Sequence, residues 1–148
     1  MSDRRLVTAT AALAFVGVGI TAYLTYAHYA DASIACPTDG CETVRNSSYA
    51  LLGMLPVALL GLGAYLLILG WLFLPRDYSR PAVFATALAG LAFSTYLLAV
   101  QAIEIGAFCT WCLASDVVIT VIAALSALAL SRRQRASTAT GLGGAVIS

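Results

Sequence analysis

Four cysteines, Cys36, Cys41, Cys109 and Cys112, are the residues of this chain whose type and spacing can do chemistry. In Cys109-Thr110-Trp111-Cys112 only two residues separate the thiols. A bridge there closes so short a loop that it adds little stability, so the spacing points to redox exchange or metal ligation. At a helix start, unpaired N–H groups and the positive dipole end favour a thiolate, the nucleophile of disulfide exchange. In Cys36-Pro37-Thr38-Asp39-Gly40-Cys41 the Asp-Gly pair favours a tight turn, and the two thiols can close a small ring. A structural staple and an exchanging pair look alike at that spacing. A Cys₄ zinc site is the other arrangement two pairs could make, but such ribbons normally sit in soluble loops, so no metal is expected.

The elements that position these thiols are membrane helices. The chain has 148 residues, 61% of them hydrophobic and 10% charged, too apolar for an ordinary water-soluble domain. Three runs carry no Asp, Glu, Lys or Arg: Leu6 to Ala30, Asn46 to Leu74 with the span proper from about Leu51, and Pro81 to Ile103. A fourth, Cys109 to Leu130, contains only Asp116. About 20 apolar residues cross the hydrocarbon core, and continuous runs of that length are helices, not alternating barrel strands. The first run lacks a small-residue cleavage site and is expected to be retained. The fold class is therefore an all-α integral membrane bundle of four helices over residues 1–135, followed by a flexible tail over 136–148.

Orientation follows from arginine, because the chain has no lysine. Arg4 and Arg5 precede the first span, Arg76 and Arg80 lie between the second and third, and Arg132, Arg133 and Arg135 follow the fourth; only Arg45 falls in the opposite loops. The positive-inside rule then puts both termini in the cytoplasm and all four cysteines at the outer face, the oxidising one. A net charge of +1 with dispersed arginines excludes a nucleic-acid interface.

Several smaller signals belong to the same end. Cys109, Cys112 and Asp116 are spaced i, i+3 and i+7, one stripe of a helix. An ionisable residue in a span costs about 3 kcal/mol and usually faces a polar cavity, although hydration near the interface is an equal reading. Ser47 reads first as an N-cap for the second span. His28, with Tyr23, Tyr26 and Tyr29, reads as an interfacial anchor, and Glu104 as solvated. Pro56 is expected to end or kink the first turn of the second span, and Gly61, Gly63 and Gly70 to be helix contacts.

Ala22-Tyr23-Leu24-Thr25-Tyr26-Ala27-His28, the loop cysteine pair followed by a serine, Gly53-Met54-Leu55-Pro56 and Gly106-Ala107-Phe108-Cys109-Thr110-Trp111-Cys112 together resemble the vitamin K epoxide reductase family, in its short bacterial form without a fused thioredoxin domain. The resemblance covers roughly Leu6 to Ser131. The DsbB family, with similar chemistry, carries its Cys-x-x-Cys in the first outer loop instead.

The resemblance implies a prokaryotic cytoplasmic-membrane enzyme that takes electrons from an extracytoplasmic thioredoxin-fold, DsbA-like partner and passes them to a membrane quinone, of the ubiquinone, menaquinone or vitamin K type, so supporting disulfide formation in secreted proteins. It implies Cys36 as the thiol exchanging with the partner, Cys41 as the shuttle to Cys109, and Cys112 as the thiol facing the quinone. It also makes Asp116 and Ser47 candidates for quinone binding or proton donation. Two departures stand out: the loop pair is closer spaced than in animal members, and Asp116 stands where those carry a tyrosine, which makes vitamin K epoxide a doubtful substrate. Competing readings are a scaffold with two structural disulfides and a cysteine-based metal transporter.

Overall fold

The structure, a computed structural model, describes residues 3–37 and 39–145. Four long helices carry it: α1 (Asp3–Tyr29), α3 (Val57–Leu72), α4 (Arg76–Val100) and α5 (Thr110–Ala145), with a short α2 (Gly40–Arg45) in the first connection. Between α2 and α3 lie a 3₁₀ turn (Ser48–Ala50) and a two-stranded hairpin of β1 (Leu51–Leu52) and β2 (Leu55–Pro56). A π-helical turn, Gln101–Ile105, continues α4 and ends at Gly106 in the left-handed conformation, with φ 68°.

The helices pack in a ring, α1 on α3 and α5, and α4 on α3 and α5. Its core takes Ala14 and Ile20 from α1, Tyr65 and Ile68 from α3, Val83 and Ala87 from α4, and Val118, Ile119, Ile122 and Ala123 from α5. Outward, Phe15, Leu67, Leu88 and Val117 stand exposed, one from each helix. That is an apolar surface suited to lipid, and with the helix lengths it makes the chain a multi-pass membrane protein. Arg4–Tyr29, Arg76–Ile105 and Thr110–Thr138 are long and apolar enough to span; Val57–Leu72 is apolar but shorter. Its 16 residues reach about 24 Å at the helical rise.

The second element starts later than the expected Leu51. Gly53, at φ 69°, turns the chain into the hairpin, and Pro56, extended at ψ 136°, precedes the first helical residue instead of kinking it. Ser47 accordingly does not cap α3. It stands before the 3₁₀ turn, and its hydroxyl donates back to the Val44 carbonyl at 2.7 Å.

The glycine contacts also differ from expectation. Gly61 meets Thr21, but Gly63 and Gly70 face open space, and the closest approaches are at Gly17, where a Cβ would overlap the Tyr65 ring, and Gly90, which faces Ile119. Of the tail expected over 136–148, the part to Ala145 continues α5 and the last three residues lie outside the described ones.

The α3–α4 turn closes one end of the ring, where Leu6, Arg76, Arg80 and Leu125 gather around one cavity. The two long connections, and with them all four cysteines, lie at the other end.

Candidate active site

Cys109 sits immediately before α5 and caps it. Its carbonyl accepts the Leu113 N–H at 3.0 Å, and its Sγ accepts the Cys112 N–H at 3.2 Å, so the sulfur occupies the place of an N-cap oxygen. The Cys109 thiol is held below the ordinary thiol range, first by the Cys112 thiol beside it and then, against the effect of burial, by the backbone N–H groups of Cys112 and Trp111. Both are free thiols.

Cys36 and Cys41 are joined in a disulfide. The two sulfurs differ in surroundings: Cys36 is half-buried at the rim, whereas Cys41 is 1% exposed. Cys41 and Cys109, itself 2% exposed, belong to one buried cluster with Ala27 and Ile34, against which Cys36 and Cys112 also pack. Gly40 makes this approach feasible. A Cβ there would run into the Phe108 carbonyl, so only glycine lets the start of α2 lie on the backbone leading into Cys109.

The cap is tied down from three sides. Trp111 and Tyr23 meet at 5.4 Å between ring centres, and both grip the residue before Cys36: Ala35 donates to the Tyr23 hydroxyl and accepts from Trp111 Nε1, each at 2.9 Å. Arg45 donates to the Ala27 and Ala32 carbonyls at 3.1 and 2.9 Å, engaging the end of α1, and pairs with Glu42 at 2.8 Å. Glu42 in turn accepts the Ile34 N–H at 2.9 Å. Arg45 is thus a structural clamp, the one arginine at the cysteine end among the described residues.

Beneath the cap is a cavity of about 210 Å³ that Cys41, Cys109, Cys112, Asp116 and Ser47 all line. Among the expected site residues, Cys36 alone stands outside it. His28 also lines it, while Tyr26 and Tyr29 are exposed. Asp116 is partly buried and lines this cavity. One carboxylate oxygen takes the Ser94 hydroxyl from α4, and the other is buried with no partner among the described residues.

Three wall residues escaped sequence reasoning. Tyr65 on α3 bonds through its hydroxyl to the Ser115 carbonyl at 2.9 Å and exchanges a bond with the Ser115 hydroxyl at 3.0 Å. Ser94 gave no signal, because serines and threonines in apolar helices commonly bond their own i−4 carbonyl, as Thr21, Thr86 and Ser126 do here. Gln101 did leave one, as the polar side chain near the end of an apolar run. Its Oε1 accepts the Cys109 N–H at 2.9 Å.

Residues 8–127 match the vitamin K epoxide reductase family. The match reaches from within α1 to within α5 and includes both cysteine pairs. The chain belongs to the vitamin K epoxide reductase family. Membership makes it a membrane thiol oxidoreductase, and a disulfide-bonded pair packed against a free Cys-x-x-Cys is the arrangement that chemistry needs.

Proposed function

We propose that this chain oxidises a thioredoxin-fold dithiol protein and reduces a membrane quinone, using Cys36–Cys41 and Cys109–Cys112 in series. The observation that carries the reading is the shared burial of Cys41 and Cys109 in one cluster, above a cavity that Cys112 and Asp116 also line. Cys36, at the rim, is the sulfur a docked partner reaches. The partner thiolate attacks Cys36 and Cys41 leaves as thiolate; the partner's second thiol then releases Cys36 and the partner departs oxidised. Cys41 attacks the Cys109–Cys112 disulfide at Cys109, Cys112 leaves, and Cys36 resolves the Cys41–Cys109 bond. The outer disulfide is restored and the inner pair holds two electrons as thiols, the distribution this structure has.

The cavity fits a quinone. Its walls are mainly apolar, with Leu24, Val57, Leu60 and Phe93 among them, and the unpartnered Asp116 oxygen offers a polar point for a ring carbonyl. A bound quinone accepts two electrons and two protons. Cys112 and Ser47 line that space, and Ser94 orients the Asp116 carboxyl as proton donor.

The reading includes four spans, with α3 and its hairpin as the second, both termini in the cytoplasm and the cysteine end outside a prokaryotic cytoplasmic membrane. Seven arginines lie outside the cap, and the six with described side chains all flank the apolar runs on the side opposite the cysteines, in agreement with the positive-inside rule.

The test is quinone reduction by purified protein with a reduced thioredoxin-fold donor, together with two traps. A donor lacking its resolving cysteine should accumulate on Cys36, and Cys36→Ser should accumulate a Cys41–Cys109 bond. Stable Cys36–Cys41 and Cys109–Cys112 bonds with no quinone turnover would favour a scaffold instead.

A further inference from the structure

Gln101 is 4% exposed, yet it is a long polar residue in the wall of the cysteine cavity. Its backbone lies in the π-helical turn that ends the α4 segment, an irregularity that turns a side chain out of the ordinary helical register. Only half of its amide is used inside the protein. Oε1 accepts the Cys109 N–H at 2.9 Å, an assignment the donor forces, because a backbone N–H cannot face the NH₂ group. No hydrogen bond from the amide nitrogen is seen among the described residues, and it is not one of the fully buried polar atoms, so that end keeps access to the cavity that Gln101 lines.

The oxygen's task follows from the capping geometry. Cys109 precedes α5, so its own N–H has no intrahelical acceptor. In an ordinary capping box the third helical residue reaches back to that N–H, but here the third residue is Cys112, whose side chain is committed to chemistry. Gln101 supplies the missing acceptor from the neighbouring helix and so fixes the backbone that aims Cys109 Sγ.

We propose that Gln101 is a two-ended residue of the acceptor site, whose oxygen positions Cys109 while its NH₂ group donates to a carbonyl oxygen of the quinone. This rests on the quinone reading above and deepens it. The carbonyl is thereby held next to the redox pair by the same side chain that positions Cys109, and Asp116 lines the same cavity as a second polar group. Gln101 takes no proton or electron. Its contribution is to ligand orientation and to selection of rings that carry oxygen.

The discriminating experiment measures binding, not turnover. Affinities of the detergent-solubilised full chain for a decyl-tailed 1,4-benzoquinone and for the corresponding decylbenzene, which lacks the ring oxygens, are compared in wild type and Gln101→Met, a variant of similar shape with neither end of the amide. The expected result is a preference for the quinone that falls roughly tenfold in Gln101→Met, the loss of about one hydrogen bond, with decylbenzene affinity little changed. Equal weakening of both ligands, or an unchanged preference, overturns the assignment and leaves Gln101 a support for Cys109 alone. Gln101→Glu gives a second reading: its oxygen keeps Cys109 in place, so Cys109 alkylation should match wild type while the preference for quinone drops at a pH where the carboxylate is ionised. Retained preference in an ionised Glu variant is incompatible with donation from this position. Failure of the parent reading is distinct, since wild type would then show no preference for the quinone to begin with.

Discussion

In the proposed relay Cys109 uses one sulfur for two purposes, closing the start of α5 and exchanging with Cys41, and its release when Cys36 resolves the Cys41–Cys109 bond depends on thiolate character. Because the Cys112 thiol is the main group holding the Cys109 thiol low, removing it should raise the pH at which Cys109 becomes reactive. In reduced protein, the pH profile of Cys109 alkylation is expected to move upward in Cys112→Ala and to stay near its original position in Cys112→Ser, whose hydroxyl still donates. In the proposed reaction Asp116 serves the other half, where its bond from Ser94 and its unpartnered oxygen suit it to handling protons and not thiol exchange. We expect Asp116→Asn to slow quinone reduction by roughly 10²-fold or more, the range for loss of a general acid, with partner exchange at Cys36 unaffected. Unchanged turnover and pH dependence would remove the residue from the mechanism.

At the level of elements, the segment from Ala30 to Arg45 is a small piece of chain fixed by contacts with three helices. Gly40 sets how closely α2 approaches the lead into α5. A Gly40→Ala substitution should push the two apart, and the yield of the Cys41–Cys109 bond trapped in a Cys36→Ser background is expected to fall several-fold, while the thermal stability of the bundle changes little. Arg45 acts through the same loop. It satisfies the Ala27 carbonyl near the end of α1 and the Ala32 carbonyl just past it, so Arg45→Met is expected to cost about 2–3 kcal/mol of local stability, the worth of charged hydrogen bonds with low exposure. Faster proteolysis or hydrogen exchange in 30–45, against an unchanged α1 interior, is the signature to measure.

For the whole molecule the consequence is sidedness. The cysteine cap and the arginine-bearing ends lie at opposite ends of the ring, so in a background with all native cysteines changed to serine, a cysteine at Asp31, whose side chain is 97% exposed, should react with an impermeant reagent from outside intact cells. One at Tyr78, 71% exposed in the first turns of α4, should react only after the membrane is opened. The reverse pattern would invert the proposed orientation and place the thiols on the reducing side.

Much of this was legible without coordinates. Bilayer thickness demands long uncharged runs, the cost of charge in lipid segregates arginine, and the fixed period of a helix puts Cys109, Cys112 and Asp116 on one stripe; each is a local rule that one sequence satisfies or not. What the tertiary structure decided is which side chains from different helices meet. The hairpin at Gly53 and Pro56 that delays α3, the choice of Gly17 and Gly90 over Gly63 and Gly70 as close contacts, the joining of Ser94 to Asp116 and of Gln101 to Cys109, and the burial of Cys41 against Cys109 all depend on the rotation and spacing of packed helices. A stretch of sequence carries no record of those relations, because ridges, grooves and small residues on several helices set them together.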